Sequence, residues 1–389
     1  MKYRGVYLVT EASIAPGSGA KVHIDAGIDQ LGRHFELHPW FVGPRRETAA
    51  RASAKGSRTM GTGLPSAIRR SSLAGAARDC RAYVRQARLY GAINAHVAAV
   101  KPDFIYERAG FGSFAGLRIA RRCGIKHFYE INGIASLDML RHYDSAASQL
   151  NLRFELNAYT ASDFSFFMGT WGDYARLPTP NWMNIENGVD EGFIESFSNH
   201  EKPLSCPVRI CFIGHVMAHH RFDVVIESLN QIPPDKAWEF HVVGRMPDDV
   251  AQIFRMDRRL YYHGVVDRPH LAEILRRMHV GVASADVEYG TGMKTFDYGA
   301  AKLLVLAPDN HNTRYWFSDD EIMRYPMGSV EGLAQKLTTV IENPELIDRF
   351  GSTLHGAVKS RFTWPIVFQQ IAGRMVNIIE STSARRSAG

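Results

Sequence analysis

Cysteine is scarce in this sequence of 389 residues, which contains only Cys80, Cys123, Cys206 and Cys211. The four cysteines show none of the paired spacings that bind a metal, and so few in so long a chain exclude a disulfide scaffold. We therefore expect a protein of a reducing compartment, and we place it in the cytoplasm.

Long hydrophobic runs are also missing, because no apolar run approaches the length of a membrane span. Residues 1–9 predict a buried strand rather than a signal peptide, since no small-residue cleavage site follows a long apolar core. The composition, with 45% hydrophobic and 22% charged residues, excludes disordered and fibrous classes. The length of the chain predicts two domains.

Acidic residues are few in one region of the chain. Residues 1–200 have 24 Lys and Arg against 18 Asp and Glu, whereas the remaining residues have 22 of each kind. Residues 45–88 alone hold eleven basic side chains and two acidic ones. This basic patch predicts contact with phosphates, with an anionic membrane surface or with an acidic acceptor. The alternative is that residues 68–100 form a basic helix whose charged side chains face water while it covers the sheet.

Short apolar runs alternate with helical patterns through most of the chain. The predicted strands of the first half are 1–10, 35–42, 103–107, 126–132, 163–167 and 182–188, and a second alternation starts at residue 208. Such alternation indicates βαβ units in parallel sheets, so we predict an α/β protein of two Rossmann-like, doubly wound domains.

The domain boundaries follow from the same pattern. The first domain is predicted to span residues 1–195 and the second residues 205–363, with the mixed, proline-containing segment 190–207 as the linker. After residue 309 the pattern is helical to the end. The C-terminal helix, 364–381, is expected to pack back across both domains.

Several polar residues follow predicted strands of the first domain. Arg108, Glu130 and Asn132 stand at strand ends, and ligands of parallel sheets bind at the carboxyl ends of the strands. We therefore regard all three as site candidates. The glycine-rich turn with Gly17 and Gly19, before the first helix, is either a phosphate or substrate loop or merely a tight turn.

The stretch 284–304 has the composition of an anion site. It lies between two apolar runs, which predicts strand, loop, helix and strand. Gly292 lets a ligand approach the free N–H groups of the helix start, which Thr291 or Thr295 is expected to cap, and Lys294 adds a positive charge. A diphosphate fits such a site.

Two carboxylates flank Lys294. Asp297 lies one turn further along the same helix face, where it is placed to accept hydrogen bonds from a sugar or ribose hydroxyl. Glu288 precedes the lysine in the loop. It is either a residue of the site or a solvated loop glutamate.

Four motifs together carry a resemblance to a known family. They are IENGVD (185–190), CFIGHVMAHHRFDVVIESL (211–229), YHGVVDRPHLAEIL (262–275) and KTFDYGAAKLLVLA (294–307). In this order and spacing they resemble the GT-B glycosyltransferases of family four, and residues 105–135 resemble the amino-terminal domains of bacterial members. The resemblance implies two Rossmann-like domains facing across a cleft, with a nucleotide-sugar donor held mainly by the second and an acceptor held mainly by the first.

The resemblance assigns roles in the first domain and in one loop of the second. The turn at Gly17 and Gly19 is expected to approach the donor diphosphate. Arg108 and Glu130 become acceptor-side residues. The loop around Val265 is the expected place for backbone contacts to the nucleotide base.

The loop after Gly214 departs from the family pattern. His215 and His220 stand where the family usually has an arginine and a lysine that face phosphate, and Arg221 stands where a glycine is usual. A diphosphate is expected to raise the pKa of a neighbouring histidine, and Arg221 is expected to supply a fixed charge. The adjacent histidines 219 and 220 predict a phosphate contact or a plain loop rather than a metal site, because no cysteine or carboxylate spacing surrounds them.

The catalytic positions differ as well. Many members have a histidine where this chain has Asn132, which hydrogen-bonds but does not shuttle protons. Asp297 occupies the second, ribose-binding position of the family's pair of glutamates, and Tyr289 occupies the first. The neighbouring Glu288 is the candidate substitute.

The resemblance implies transfer of a sugar from a nucleotide diphosphate sugar to a hydroxyl, with retention at the anomeric carbon and no essential metal or cofactor. Lys294 and Arg221 or His220 are expected to stabilise the departing diphosphate. The acceptor is a glycan, a lipid-linked glycan, an acidic molecule or another small molecule, and nucleic acid is not expected. The alternatives are a nucleotide-sugar epimerase of the same fold and an inactive sugar-binding or scaffold subunit.

Overall fold

The structure is a computed structural model that describes residues 2–10, 14, 18–42, 72–137, 147–200, 207–216 and 220–387. It divides into two compact units. The first comprises Met1–Ile185 and Phe368–Gly389, and the second is Glu186–Val367. Among the described residues, no helix has both the length and the apolar character needed to cross a membrane.

The first unit is built on a six-stranded parallel sheet. Its strands are β1 Arg4–Val9, β2 Glu36–Phe41, β3 Phe104–Arg108, β4 Lys126–Ile131, β5 Phe164–Met168 and β6 Trp182–Ile185. They lie side by side in the order β2-β1-β3-β4-β5-β6. The helices of this unit are Gly19–His34, Ser72–Val100, Ala115–Cys123, Ser148–Ala161 and Trp171–Ala175, followed by most of Trp364–Ser387.

Burial explains why the strands of the first unit were recognisable. Strands β3 and β5 are buried along their whole length, as expected for a parallel sheet covered by helices on both faces.

The side chain of Ser18 accepts a hydrogen bond from the N–H of Lys21 and so caps Gly19–His34. Phe368 of the C-terminal helix is fully buried, and its ring centroid lies 5.7 Å from that of His23. These contacts join the C-terminal helix to the first unit.

The second unit contains another six-stranded parallel sheet. Its strands are β7 Val208–Ile213, β8 Trp238–Val243, β9 Leu260–Gly264, β10 Val280–Val282, β11 Leu304–Asp309 and β12 Met323–Pro326. They lie in the order β12-β11-β10-β7-β8-β9, which is the strand order of a doubly wound α/β sheet. The helices are Glu191–Glu195, Phe222–Asn230, Asp248–Met256, Arg268–Arg276, Lys294–Ala300, His311–Trp316, Val330–Glu342 and Glu345–Arg361.

The core of the second unit lies on both faces of this sheet. Side chains alternate between the faces along a strand. Accordingly, Ile210 and Phe212 of β7 pack in one buried cluster, whereas Cys211 and Ile213 pack in the other. The hydroxyl of Tyr298, fully buried, accepts a hydrogen bond from the N–H of Ile213 at 2.9 Å and so fixes the helix Lys294–Ala300 to the end of β7.

Some boundaries differ from the sequence-based prediction. The units divide after Ile185, and the segment predicted as a linker contains the helix Glu191–Glu195, whose Phe193 and Ile194 are buried in the core of the second unit. The region after residue 309, predicted as helical throughout, includes strand β12. This strand has only four residues and lies at the edge of the sheet, so it leaves no alternating pattern in the sequence.

Candidate functional site

The candidate site lies at the carboxyl ends of β7 and β10, where the strand order of the second sheet reverses. Ligands of doubly wound sheets bind at this kind of position. Gly214 follows β7 with a φ of 115°, and Gly244 follows β8 with a φ of 137°. A side chain on Gly244 would collide with the carbonyl oxygen of Gly214. The two glycines therefore let the loops after β7 and β8 lie in direct contact.

Lys294 is the charged group of this site. It begins the helix Lys294–Ala300 and is only 8% exposed. Its Nζ atom hydrogen-bonds to no residue that the structure describes, and it lies 3.7 Å from the centroid of the Phe212 ring. Burial lowers its pKa to about 7. A buried ammonium group without an anionic partner is costly in a folded protein, and the cost falls when an anion binds beside it.

The two predicted glycines border this lysine. A methyl group on Gly214 would lie 3.8 Å from Nζ of Lys294, and one on Gly292 would lie 3.6 Å from its Cγ. Neither position has a side chain that would cover the lysine. The structure thus brings together Lys294, Gly214 and Gly292, three residues that the sequence assigned to one anion site.

Thr291 has a different local role from the one expected. The N-cap of Lys294–Ala300 is Met293, and no side chain caps the helix. The prediction that Thr291 or Thr295 caps it is therefore wrong. The hydroxyl of Thr291 instead donates to Oε2 of Glu186 at 2.8 Å and accepts a hydrogen bond from the side-chain amide of Asn312.

Glu186 is a buried carboxyl group that the sequence analysis did not select. It is 2% exposed, and its Oε1 accepts hydrogen bonds from the N–H of Asn187 at 2.8 Å and from the Asn187 side chain at 3.1 Å. Burial raises its pKa to about 7, against the lowering effect of these hydrogen bonds and of those from Thr291 and Asn312. Its signal in the sequence was a carboxylate at the end of a buried strand, inside the motif IENGVD.

In the loop after β7, the ring of His220 contacts the backbone of His215. Nδ1 of His220 lies 2.5 Å from the carbonyl oxygen of His215, and the His220 ring packs edge-on against Phe212 with centroids 5.9 Å apart. Partial burial and the charge of Arg245 lower the pKa of His215. Both effects oppose protonation of His215. Residues 217–219, including His219, lie outside the described residues.

Arg221 is ion-paired. Its φ is 44°, in the left-handed region, which gives a physical reason for the glycine usual at this position in the resembling family. Its guanidinium lies 3.0 Å from the carboxylate of Asp223 and 3.6 Å from that of Asp286. The hydrogen bond to Asp223 and the charges of both carboxylates raise its pKa. The charge of Arg221 is thus balanced by two acids.

Asp297, the predicted ribose-binding residue, is also paired. Its carboxylate lies 2.6 Å from Nη2 of Arg268, and the guanidinium of Arg268 lies 3.6 Å above the ring of Phe193. No pattern in the sequence predicts this pair. Val265, in the loop after β9, is 67% exposed, and its contact with a nucleotide base stays a prediction.

Glu288 anchors the loop before Lys294 to a neighbouring helix. Its Oε1 accepts a hydrogen bond from the N–H of His311 at 2.9 Å, and its carbonyl oxygen accepts one from the N–H of Asn312 at 3.1 Å. The helix His311–Trp316 begins at this point. These contacts are structural, and a catalytic role for Glu288 stays a prediction.

The predicted acceptor-side residues of the first unit form one buried cluster. Glu130 is fully buried, and its carboxylate lies 2.6 Å from Nη1 of Arg108 and 3.1 Å from Nε2 of His23. It also accepts hydrogen bonds from Tyr106 at 2.9 Å and from Asn132 at 2.9 Å. Burial alone would raise the pKa of Glu130, but His23 and Arg108 hold it well below its usual value. Asn132 is the exposed member of this cluster.

The first predicted phosphate loop is only partly described. Gly19 is the first residue of Gly19–His34, and Gly17 lies outside the described residues. The same holds for most of the basic patch, of which residues 72–88 are described as part of the helix Ser72–Val100. The roles proposed for both regions stay predictions.

A serine, a histidine and a glutamate meet inside the first unit. Nδ1 of His127 lies 3.0 Å from Oγ of Ser162, and its Nε2 lies 3.0 Å from Oε2 of Glu107. All three residues are buried, and the hydroxyl of Ser162 donates to backbone carbonyls. The trio is therefore part of the core rather than a nucleophilic site. No three His, Cys, Asp or Glu residues in the described part of the chain are grouped so as to hold a metal ion.

The match to a known family falls mainly on the second unit. Residues 223–373 match the sequence model of a family described as glycosyl transferase-like. No curated protein matches the chain.

The whole chain resembles several solved structures. It is similar to HepE from Anabaena, solved with UDP and glucose, at a TM-score of 0.66 and 14% identity over 96% of this chain and 99% of that chain. It is similar to a sucrose-phosphate synthase from Thermosynechococcus elongatus at a TM-score of 0.70 and 12% identity over 98% and 100%. It is also similar to the lipopolysaccharide outer core galactosyltransferase WaaB at a TM-score of 0.67 and 13% identity over 97% and 99%.

These likenesses show the fold. The chain has the α/β, GT-B architecture, and that prediction is confirmed.

Proposed function

We propose that this GT-B protein transfers a sugar from a nucleotide diphosphate sugar to a hydroxyl group, with retention at the anomeric carbon and without an essential metal. The second unit binds the donor, with the diphosphate at Lys294, Gly214 and Gly292. The acceptor binds to the first unit.

The observation that carries this proposal is the burial of the Lys294 ammonium group. Its Nζ atom has only the face of Phe212 as a partner within the described residues, and an aromatic face compensates a buried cation incompletely. A diphosphate restores the lost interaction and keeps the lysine protonated. A lysine that served only the fold would be expected to have a carboxylate beside it.

The main requirement of the proposed sugar transfer is positive charge beside the departing diphosphate. Negative charge develops on the departing diphosphate, and a fixed cation in a site that excludes water stabilises it. Arg221 adds a second cation once the phosphate replaces one of its two carboxylate partners. No residue of the site acts as a nucleophile, and the leaving phosphate oxygen takes the proton of the acceptor hydroxyl.

Related structures suggest which donors to test first. HepE was solved with UDP, with UDP and glucose and with UDP-glucose, and WaaB is described as a galactosyltransferase. We therefore propose a hexosyltransferase whose first candidates for the donor are UDP-glucose and UDP-galactose. The basic patch at residues 45–88 favours a lipid-linked or acidic acceptor. A cytoplasmic location beside an anionic membrane surface stays a prediction.

The test is a screen of purified protein against a panel of nucleotide sugars. We expect slow hydrolysis of one donor in the absence of acceptor, with release of the nucleoside diphosphate and of a sugar whose initial anomeric form, followed by NMR, is that of the donor. The Lys294→Ala variant should lose this hydrolysis while its circular dichroism spectrum is unchanged. Formation of an epimer of the donor would instead identify an epimerase. Absence of both binding and turnover across the panel would favour the alternative of an inactive scaffold subunit.

A further inference from the structure

The first unit contains a cavity that is separate from the buried cluster of Glu130. It is a cavity of about 390 Å³, a size typical of small-molecule sites. Two helices and two loops form its wall. Its lining residues include Tyr83, Phe114, Phe154, Glu155, Ala158 and Tyr159.

The wall of this cavity is apolar because its polar groups are bonded to the protein. The carboxylate of Glu155 accepts hydrogen bonds from the N–H groups of Ala135 at 2.9 Å and Ser136 at 2.8 Å. It also accepts one from the hydroxyl of Tyr159. The hydroxyl of Tyr83 donates to the side chain of Asn151 at 3.0 Å. Aromatic rings and methyl groups therefore face the cavity, and the ligand they select is a hydrocarbon.

One large apolar side chain lies at the mouth of the cavity. Phe154 lines the cavity and is 55% exposed to solvent. Leu150, one turn earlier on the helix Ser148–Ala161, is 53% exposed but does not line the cavity. An exposed phenylalanine at the rim of an apolar cavity gives a hydrocarbon chain an apolar path from solvent to the interior.

The position of the cavity and the charge of one helix of its wall indicate which chemical group such a hydrocarbon chain is attached to. Phe114 belongs to the loop after β3 and Ser136 to the segment after β4, so the cavity opens near the carboxyl ends of the strands, where ligands of parallel sheets bind. The helix Ser72–Val100, which contributes Tyr83, has four arginines against one aspartate, and none of these arginines lines the cavity. The excess of positive charge on this helix favours an anionic head group that stays outside the cavity.

We infer that this cavity binds the hydrocarbon chain of an anionic amphiphile, a lipid phosphate that is the acceptor or anchors it. The identification of the ligand as an acceptor rests on the glycosyl transfer proposed above, whereas the identification of the cavity as an amphiphile site does not.

The experiment measures the binding of n-alkyl phosphates with four to ten carbon atoms to the full-length protein by calorimetry, below their micellar concentrations. We expect each added methylene to lower Kd about fourfold until the cavity is full. Ala158→Trp, which fills the cavity, and Phe154→Glu, which places a charge at its mouth, should each weaken octyl phosphate binding at least about 20-fold. Leu150→Glu, the matched control on the same helix, should change Kd less than about twofold. Octyl glucoside should bind more weakly than octyl phosphate.

A Kd that does not depend on chain length, or an equal effect of Phe154→Glu and Leu150→Glu, would overturn the assignment. Equal affinity for octyl glucoside and octyl phosphate would overturn its anionic part. The donor screen separates this result from the proposed function. Donor hydrolysis without alkyl phosphate binding would overturn only the assignment of the cavity. Alkyl phosphate binding without any donor turnover would overturn only the proposed glycosyl transfer.

Discussion

The Nζ atom of Lys294 lies 3.7 Å from the centroid of the Phe212 ring. Phe212 belongs to β7, so the cation is held at the carboxyl end of the strand around which the order of the second sheet reverses. A ring face contributes less to a buried ammonium than a carboxylate does. Burial of the Lys294 charge therefore destabilises the unliganded protein, and a bound anion offsets this destabilisation.

Replacement of Lys294 by methionine should stabilise the protein and weaken donor binding. Methionine has a similar volume without the buried charge, so the free energy of unfolding should rise by about 1–3 kcal/mol. Donor affinity should fall about 100-fold, because a charged hydrogen bond is lost. Thermal unfolding and calorimetry with the donor found in the screen measure the two effects. Lys359→Met, at an exposed position, should change neither quantity, and a destabilised Lys294→Met variant would contradict the account.

Donor affinity should fall as the pH rises above about 7. The pKa of Lys294 is lowered to about 7 by burial, and a bound diphosphate raises it again, so binding above pH 7 requires uptake of a proton. Below pH 6 the lysine is already protonated and Kd should be constant, whereas between pH 7 and 9 Kd should rise by up to about tenfold per unit. A nucleotide sugar is the suitable probe because its diphosphate does not titrate in this range.

Two controls identify the group that titrates. Lys294→Arg keeps its charge throughout this pH range and should bind the donor with a Kd that varies little. Calorimetry in buffers of different ionisation enthalpy should detect the proton uptake by the unmodified protein. A pH dependence that is the same in Lys294→Arg would assign the titration to another group.

Asp297→Asn should reduce the preference of the site for ribose. If the carboxylate accepts hydrogen bonds from ribose hydroxyls, the unmodified protein binds the ribonucleotide at least about tenfold more tightly than its 2′-deoxy analogue. In the variant the ratio should fall below about threefold. Arg268→Gln, which removes the 2.6 Å ion pair and leaves the carboxylate, should weaken both ligands alike. An unchanged ratio in Asp297→Asn would exclude the residue from the ribose site.

Glu186→Gln should change how stability depends on pH. Burial raises the pKa of Glu186 to about 7, so the native state retains a proton that the unfolded chain has already lost. This contribution to stability is present below pH 4.5 and is lost as the pH rises through 7. The free energy of unfolding of the unmodified protein should therefore fall between pH 5 and 8 by on the order of 2 kcal/mol more than that of the variant. Glu195→Gln, at an exposed position of the same unit, should behave like the unmodified protein.

The sequence predicted the elements that bury long apolar runs. The helix Asp248–Met256 has the predicted bounds, and β7 and β8 differ from the prediction by a residue at most. Strand β12 and the helix Glu191–Glu195 were missed because they contain four and five residues, too few to display a period.

The site was predicted as far as its residues are neighbours in one motif or stand at strand ends. Lys294, Gly214 and Gly292 come together as the strand and loop pattern required. The partners of Thr291 and Asp297 were missed, because Glu186 and Arg268 are 105 and 29 residues away in sequence. No local pattern specifies such pairs, which depend on the packing of the complete sheet.

The two ends of the second unit lie next to each other. Val189 forms a parallel bridge with Thr363, with the N–H of Val189 donating to Phe362 at 2.9 Å and that of Trp364 donating to Val189 at 3.2 Å. The entry and exit of this unit are thus tied side by side by its own hydrogen bonds, so it is connected to the rest of the chain as an insertion with adjoining ends. A gene fragment for residues 186–367 should therefore encode an autonomously folding protein, and peptide ligation at the two junctions would allow isotope labelling of the donor half alone.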